Sequence, residues 1–206
     1  MTLQFDTAAH RYTLDGAVVP SVTKILEGMA LAPPYKDNKD SLTFGTAVHK
    51  ACELHATGRL DADGTHPKVM EYVAGFAEKC AEMNIVPIKT ELRVFHGHEH
   101  YAGTVDLWCK IYDGQHAIID FKSGTSVPRC VELQTAGYAE ALKWMFQFGF
   151  VEECPITVGG GMPRRFSMQL TPNRAIVREC KDEYDFPAFI GACRLFKWMK
   201  EKRKDQ

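Results

Sequence analysis

Two apolar runs, Gly103 to Tyr112 and Gln115 to Lys122, are separated by little more than Asp113-Gly114, and this join constrains the chain more than any other segment. The first alternates and the second is a nearly unbroken apolar run; both read as strands, and with a short join between them they predict a β-hairpin. A three-residue loop, Tyr112-Asp113-Gly114, built on a type I turn puts Gly114 in the left-handed region. Residues whose numbers sum to 226 then pair, and Asp106 stands directly opposite Asp120. A two-residue Asp113-Gly114 turn pairs residues summing to 227 instead and sends the two acids to opposite faces. The three-residue loop is the reading adopted. Like charges opposite one another destabilise a sheet. A divalent cation between them removes that penalty and supplies a function.

The second run ends Ile118-Ile119-Asp120-Phe121-Lys122-Ser123-Gly124. Side chains alternate along a strand, so Asp120 and Lys122 share a face. Two charges at the end of a buried strand are costly without partners. The pair is therefore either a structural salt bridge or part of an active site. Glu91, on the strand Lys89 to Phe95, and His49, on a helix after Gly45, could complete such a site. Taken singly, each reads as an ordinary surface or packed residue. Gln134 and Tyr138 are four apart on the next helix and share a face, where Tyr138 alone would read as core.

No internal repeat surrounds this centre. Phe5 to Val19 alternates around Asp15-Gly16 and predicts a hairpin. Ser21 is placed to cap a short helix, Val22 to Met29, and Pro33-Pro34 with the polar stretch to Asp40 predicts a loop. Helices are expected over Thr43 to Thr57, stopped by Gly58, and over Pro67 to Met83. Beyond the strands, Val131 to Phe148 carries Tyr138, Ala141, Leu142, Met145 and Phe146 as an apolar helical stripe. Gly159-Gly160-Gly161 lacks the Lys-Ser/Thr of a phosphate-binding loop and reads as a connection. Arg165 to Leu170 and Ala175 to Cys180 predict a last hairpin, and Phe186 to Lys202 a closing helix. This order predicts an α/β (α+β) fold, one domain with a mixed central sheet flanked by helices. Residues 1–40 form an N-terminal hairpin-and-helix extension in this reading, and 41–206 the core.

Composition narrows the setting. With 206 residues, 45% hydrophobic and 25% charged, the chain can build one sizeable core. No apolar run approaches a membrane span, and no basic region precedes an apolar one at the start, so a cytoplasmic protein is expected. The seven cysteines show no zinc-ribbon or iron–sulfur spacing, and reduced, mostly buried thiols are expected. The net charge of -1 argues against a protein that grips long stretches of phosphate. Local contact remains open to Arg164, Arg165, Arg174 and Arg178, or to the tail from Lys197 to Lys204, which serves equally as a solvated helix end. His96-Gly97-His98-Glu99-His100 has the composition of a metal tract but falls at a hairpin tip, and reads as a solvated turn.

Four motifs occur in order: Gly45-Thr46-Ala47-Val48-His49, Gly103-Thr104-Val105-Asp106, Ile119-Asp120-Phe121-Lys122, and Gln134 followed by Tyr138. Together they resemble the PD-(D/E)XK nuclease superfamily, in particular its RecB-like exonuclease branch, over about half the chain. The resemblance implies a restriction-endonuclease-like core. It implies Mg²⁺ or Mn²⁺ held by His49, Asp106, Asp120 and the carbonyl of Phe121, with Lys122 positioning or activating the attacking water. Partial burial would lower the pKa of Lys122 and let it take a proton. Gln134 and Tyr138 would face the substrate. The second acid is Asp where many relatives have Glu. The Phe5-Asp6 and Val19-Pro20-Ser21-Val22-Thr23 segments look like those of phage and prophage members. The clustered cysteines of iron–sulfur relatives are absent from the sequence, so no cluster is expected. The implied substrate is DNA with a free end, degraded during phage or prophage recombination, replication or repair in a bacterial or infected cell. A recombination or single-strand-binding protein is the implied partner, and no membrane. Two alternatives stay open: a structure-specific endonuclease on the same core, and a non-catalytic DNA-binding or assembly module.

Overall fold

The computed structural model describes residues 1–32, 39–112, 114–155 and 161–202. Its N-terminal segment forms a three-stranded meander rather than the single hairpin expected: β1 (Leu3–Asp6), β2 (Arg11–Leu14) and β3 (Ala17–Val19). Asp15 and Gly16, both left-handed (φ 50° and 82°), make the anticipated two-residue turn between β2 and β3. The other turn has no glycine or proline to announce it. There the Asp6 carboxylate accepts from the Ala9 N–H (3.0 Å), and His10 is left-handed (φ 45°). Helix α1 (Val22–Gly28) follows, its first turn capped by the Ser21 hydroxyl, which accepts from the Lys24 N–H (3.1 Å).

Helix α2 (Lys39–Ala56) starts before the expected position, so Lys39 and Asp40 are helical; the rest of the anticipated loop, 33–38, lies outside the described residues. Gly58 follows α2 in the left-handed conformation (φ 66°), and α3 (Pro67–Glu82) comes next. The main sheet runs β4 (Val86–His96), β5 (Tyr101–Lys110), β6 (His116–Lys122), β7 (Arg164–Thr171), β8 (Arg174–Glu179), in that spatial order. All its pairs are antiparallel except β6 with β7, which are parallel. A parallel pair needs a crossover, and α4 (Val131–Gln147) lies within it. Helix α5 (Asp185–Lys202) ends the described chain. The result is a mixed α/β fold with a five-stranded mixed sheet, as expected.

The near-continuous apolar run of β6 is buried on both faces. Ile118 belongs to one core with Ala139 and Leu142 of α4, Ile25 of α1 and Phe189 of α5. Ile119 and Phe121 belong to a second core with Val48 of α2 and Phe76 of α3. Tyr12, Leu14 and Val19 of the meander sit in the first of these, so the N-terminal strands help to close it. Five cysteines are buried, Cys80 is half-buried and Cys154 exposed; all seven are free thiols. Among the described residues no helix is long and apolar enough to cross a membrane.

Candidate active site

The register of β5 on β6 decides whether the two acids meet. Leu107 pairs with Ile119, Trp108 with Ile118, Cys109 with Ala117 and Lys110 with His116, so the numbers sum to 226. The Ile111 N–H donates to the Gln115 carbonyl (3.1 Å) and the Gly114 N–H to the Ile111 carbonyl (2.7 Å), with Gly114 at φ 72°. This is the three-residue loop, although Asp113 itself lies outside the described residues. One step beyond Leu107 and Ile119, the register brings Asp106 opposite Asp120. There Asp106 Oδ2 accepts from the Phe121 N–H (2.6 Å). On the other side, Thr90 pairs with Leu107 and Leu92 with Val105, which sets Glu91 opposite Asp106. Glu91 is left-handed (φ 48°), a rare state for a non-glycine residue inside a strand. Three carboxylates therefore fall in one row across three strands.

Asp120 is only 4% exposed. Its Oδ1 accepts from Gln134 Nε2 (2.8 Å). Its Oδ2 has the Lys122 ammonium 2.5 Å away, and no other donor among the described residues reaches that oxygen. Gln134 ties the group together: Nε2 also reaches the Tyr138 hydroxyl (3.1 Å), and Oε1 accepts from Lys122 (3.3 Å). His49 Nδ1 lies 3.7 Å from Asp106 Oδ1. The structure thus brings His49, Asp106, Asp120, Lys122, Gln134 and Tyr138 into one site. The Phe121 N–H points at Asp106, and in an extended strand the carbonyl of the same residue points to the same side.

Burial pushes the Asp120 carboxyl up to about 6; Lys122 opposes the shift and Asp106 adds to it. Asp106 goes the other way. Burial raises it, but the neighbouring His49 and Lys122 and the Phe121 N–H outweigh that, and it falls below the usual carboxylate range. Two facing acids pushed apart in this way are characteristic of functional sites. Burial lowers the His49 pKa, but Asp106 overrides burial and raises it. Lys122 corrects the expectation of a depressed amine. Burial does favour the neutral form, but Asp120 and Asp106 outweigh it, so the pKa rises and Lys122 stays an ammonium.

The glycines of the motifs have steric reasons. A Cβ at Gly103 would stand 2.4 Å from the Tyr138 ring, and one at Gly45 would stand 2.9 Å from Ser123 Oγ. The site opens into a cavity of about 840 Å³, walled by α2, β4, α4 and the N-terminal meander. Several further residues line this wall, of which only Glu91 was a candidate from sequence. Glu91 is open to the cavity, yet the partial burial of its carboxyl, with Asp106 and Glu53 near, raises it to about 7. Glu53, 7% exposed, pairs with Lys50 (2.5 Å) and Arg59 (3.6 Å). It lies four residues after His49 on one helical face, a signal present in the sequence. Tyr12 shares a 2.6 Å hydrogen bond with Thr104, two residues before Asp106.

Most other candidates resolve as structure, while Arg174 is exposed at the start of β8. Arg164 pairs with Glu179 (2.6 Å), Arg165 with Asp185 (3.0 Å), and Arg178 with Glu132. These arginines lace β7 and β8 to α4 and α5 and do not form a free phosphate patch. Lys197 is bonded to the Glu99 carbonyl, and the end of the basic tail, 203–206, lies outside the described residues. His96 is not solvated as expected: it packs on Tyr101 (5.5 Å) and Trp144 (5.6 Å), and burial lowers its pKa to about 4.

Metal ligation fits the donors better than their present arrangement. Among the described residues no three of His, Cys, Asp and Glu are grouped so as to hold an ion. Asp106 is turned to His49, and Asp120 to Lys122. The chemistry of the set nevertheless suits Mg²⁺, which takes carboxylate and carbonyl oxygens and keeps several waters. Asp120 Oδ2 is buried and faces only the Lys122 ammonium among the described residues, so it is an acceptor that already serves a cation.

No family model and no curated protein sequence matches the chain. Among solved structures it is similar to that of SSO0001, at 13% identity and a TM-score of 0.35, covering 86% of this chain and 84% of that one. It is also similar to that of LHK-Exo in complex with dAMP, at 11% identity and a TM-score of 0.39, covering 91% and 94%. Likeness at this level carries no functional argument, which rests on the site.

Proposed function

We propose that this chain is a divalent-metal-dependent deoxyribonuclease of the PD-(D/E)XK type that hydrolyses phosphodiester bonds from free DNA ends, in phage or prophage recombination, replication or repair. One observation carries the reading: Asp106, in the middle of β5, and Asp120, near the end of β6, stand one register step beyond the Leu107–Ile119 pair, with Lys122 beside Asp120 at 2.5 Å. Asp106, Asp120, the Phe121 carbonyl and His49 would hold Mg²⁺ or Mn²⁺. When bound, the ion would neutralise charge on the phosphate and lower the pKa of a bound water.

The remaining chemistry belongs to the chain. Lys122, kept as an ammonium, places a positive charge where negative charge develops on the phosphate. Gln134 fixes Asp120 and Lys122 relative to each other and is itself fixed by Tyr138. His49 holds Asp106 ionised. Burial excludes bulk water from Asp120, which strengthens each of these interactions.

The test is cleavage of end-labelled linear DNA and of closed circular DNA in Mg²⁺, Mn²⁺ or EDTA. Linear DNA should be degraded only with the metal, circles should survive, and Asp120→Asn should lose on the order of 10³-fold or more. Full activity in EDTA would refute the reading. Rapid nicking of circles would replace the exonuclease by an endonuclease on the same site. Binding without any cleavage would leave a DNA-binding module.

A further inference from the structure

The cavity wall is crowded with carboxylates, Glu27, Glu53 and Glu91 among them, which is a poor surface for a polyanion. Its cations are largely spoken for: Lys50 is 2.5 Å from Glu53, and Lys122 is 2.5 Å from Asp120. Arg93 differs. Among the described residues it has no carboxylate partner, and its guanidinium lies over the Phe5 ring, 5.0 Å from the centroid. Phe5 rests on Tyr12, with ring centroids 4.6 Å apart, and Tyr12 is anchored to Thr104 by a 2.6 Å hydrogen bond. The β4–β5 register puts Arg93 directly opposite Thr104. Thr104 and Asp106 share a strand face two residues apart, roughly 7 Å.

We infer that Arg93, shelved on the Phe5 ring, binds a phosphate of the DNA strand adjacent to the one held at the Asp106–Asp120 pair. The inference rests on the nuclease reading and gives the N-terminal meander a part in substrate binding. An aromatic face holds a guanidinium while leaving its N–H edges free. Those edges match two phosphate oxygens at once, which an ammonium does not. The position is one strand step from the acids, on the same side of the sheet and in the same cavity. An extended single strand reaching the acids would carry its neighbouring phosphate past this point.

The experiment is a salt titration of binding. A fluorescent single-stranded oligonucleotide is bound in Ca²⁺, with intact substrate verified on gels, by the native chain, Arg93→Gln, Arg93→Lys and Phe5→Leu. Arg129→Gln is the control, because Arg129 lies outside the cavity with a side chain 93% exposed. Arg93→Gln should raise Kd about ten-fold and reduce the slope of log Kd against log salt by about 0.7, the loss of one phosphate contact on a single strand. Arg93→Lys should keep the slope and weaken binding. Phe5→Leu should weaken binding two- to three-fold without changing the slope, and Arg129→Gln should change neither. Thermal unfolding of each variant verifies folding; if Arg93→Gln fails to fold, the Lys and Leu variants carry the same decision. An unchanged Kd and slope in Arg93→Gln overturns the inference, as does a native chain that does not bind. Cleavage in Mg²⁺ separates the two readings. A native chain with an Arg93-dependent slope and no cleavage loses the nuclease and keeps the subsite. Normal cleavage with an unchanged KM in Arg93→Gln does the reverse.

Discussion

Gly103→Ala tests whether the wall behind the acids is as tight as the contacts indicate. Gly103 is buried in β5 opposite Val94, and the Tyr138 ring lies across it. An added methyl would meet Tyr138 Cε1 at 2.4 Å and Cδ1 at 3.0 Å, where carbon atoms normally rest at about 3.5–4.0 Å. The ring has little freedom, being 4% exposed with its hydroxyl bonded to Gln134. Overpacking of this kind costs about 1–3 kcal/mol. Replacing glycine in a strand returns about 0.5–1 kcal/mol of backbone entropy. A net loss of about 1–2 kcal/mol follows, which lowers Tm by roughly 2–8 °C for a chain of this size. The assay is urea and thermal denaturation of a double-mutant cycle with Tyr138→Leu. Removing the ring edge should abolish the cost of Gly103→Ala and give a coupling of about 1 kcal/mol or more. An equal cost in both backgrounds would refute the reasoning, because Tyr138 would then not be what fills the space above Gly103.

Two helix glycines should respond with opposite signs. Gly75→Ala drives a methyl to 2.4 Å from the Arg174 backbone nitrogen and should cost about 3 kcal/mol, whereas Gly191→Ala meets nothing within 4 Å and should gain about 0.5–1 kcal/mol; both are read by urea denaturation. His96 should shape the acid limb of stability. Its folded pKa is about 4 against an ordinary 6.5, so the unfolded chain binds the extra proton between those values. Its contribution is intact above pH 6.5 and falls as pH drops to 4, by roughly 1–2 kcal/mol once solvent screening of this half-buried ring is allowed for, and His96→Phe should flatten that part of the stability curve. Gln134→Ala should lower turnover more than Mn²⁺ affinity, because it unties Asp120, Lys122 and Tyr138 without removing a carboxylate; steady-state kinetics beside a Mn²⁺ titration separate the two.

What was legible in the sequence was what local chemistry dictates. Asp113-Gly114 marked the turn and left a two- or three-residue loop open; the three-residue loop expected is the one found, and its register places Asp106 against Asp120. Ser21 marked the start of α1, and the apolar stripe of α4 marked its buried face. Two kinds of feature were misread: local geometry without its usual marker residues, and contacts with partners far away in sequence. The turn at Asp6–Arg11 is closed by a side-chain carboxylate, not by glycine or proline, so the meander looked like one hairpin. Arg164, Arg165 and Arg178 resembled a phosphate patch because Glu179, Asp185 and Glu132 meet them only after β7, β8, α4 and α5 assemble. Glu91 joins the row of acids through a β4–β5 register and a left-handed residue that no local motif announces. The state of Lys122 was misjudged because burial alone was weighed, and the two facing acids reverse its effect.

Calorimetric titration of Mn²⁺ into the metal-free protein, repeated with Asp106→Asn and Asp120→Asn, tests the claimed centre most directly. At present Asp106 is turned to His49 and Asp120 to Lys122, so an ion must displace both pairings to bind. Saturable binding is expected in the native protein, with proton release growing as pH falls toward 6, where Asp120 begins to carry its proton. Either substitution should weaken it at least ten-fold while the chain stays folded. Binding of equal strength in all three proteins, or none in the native one, would contradict a metal centre at Asp106 and Asp120.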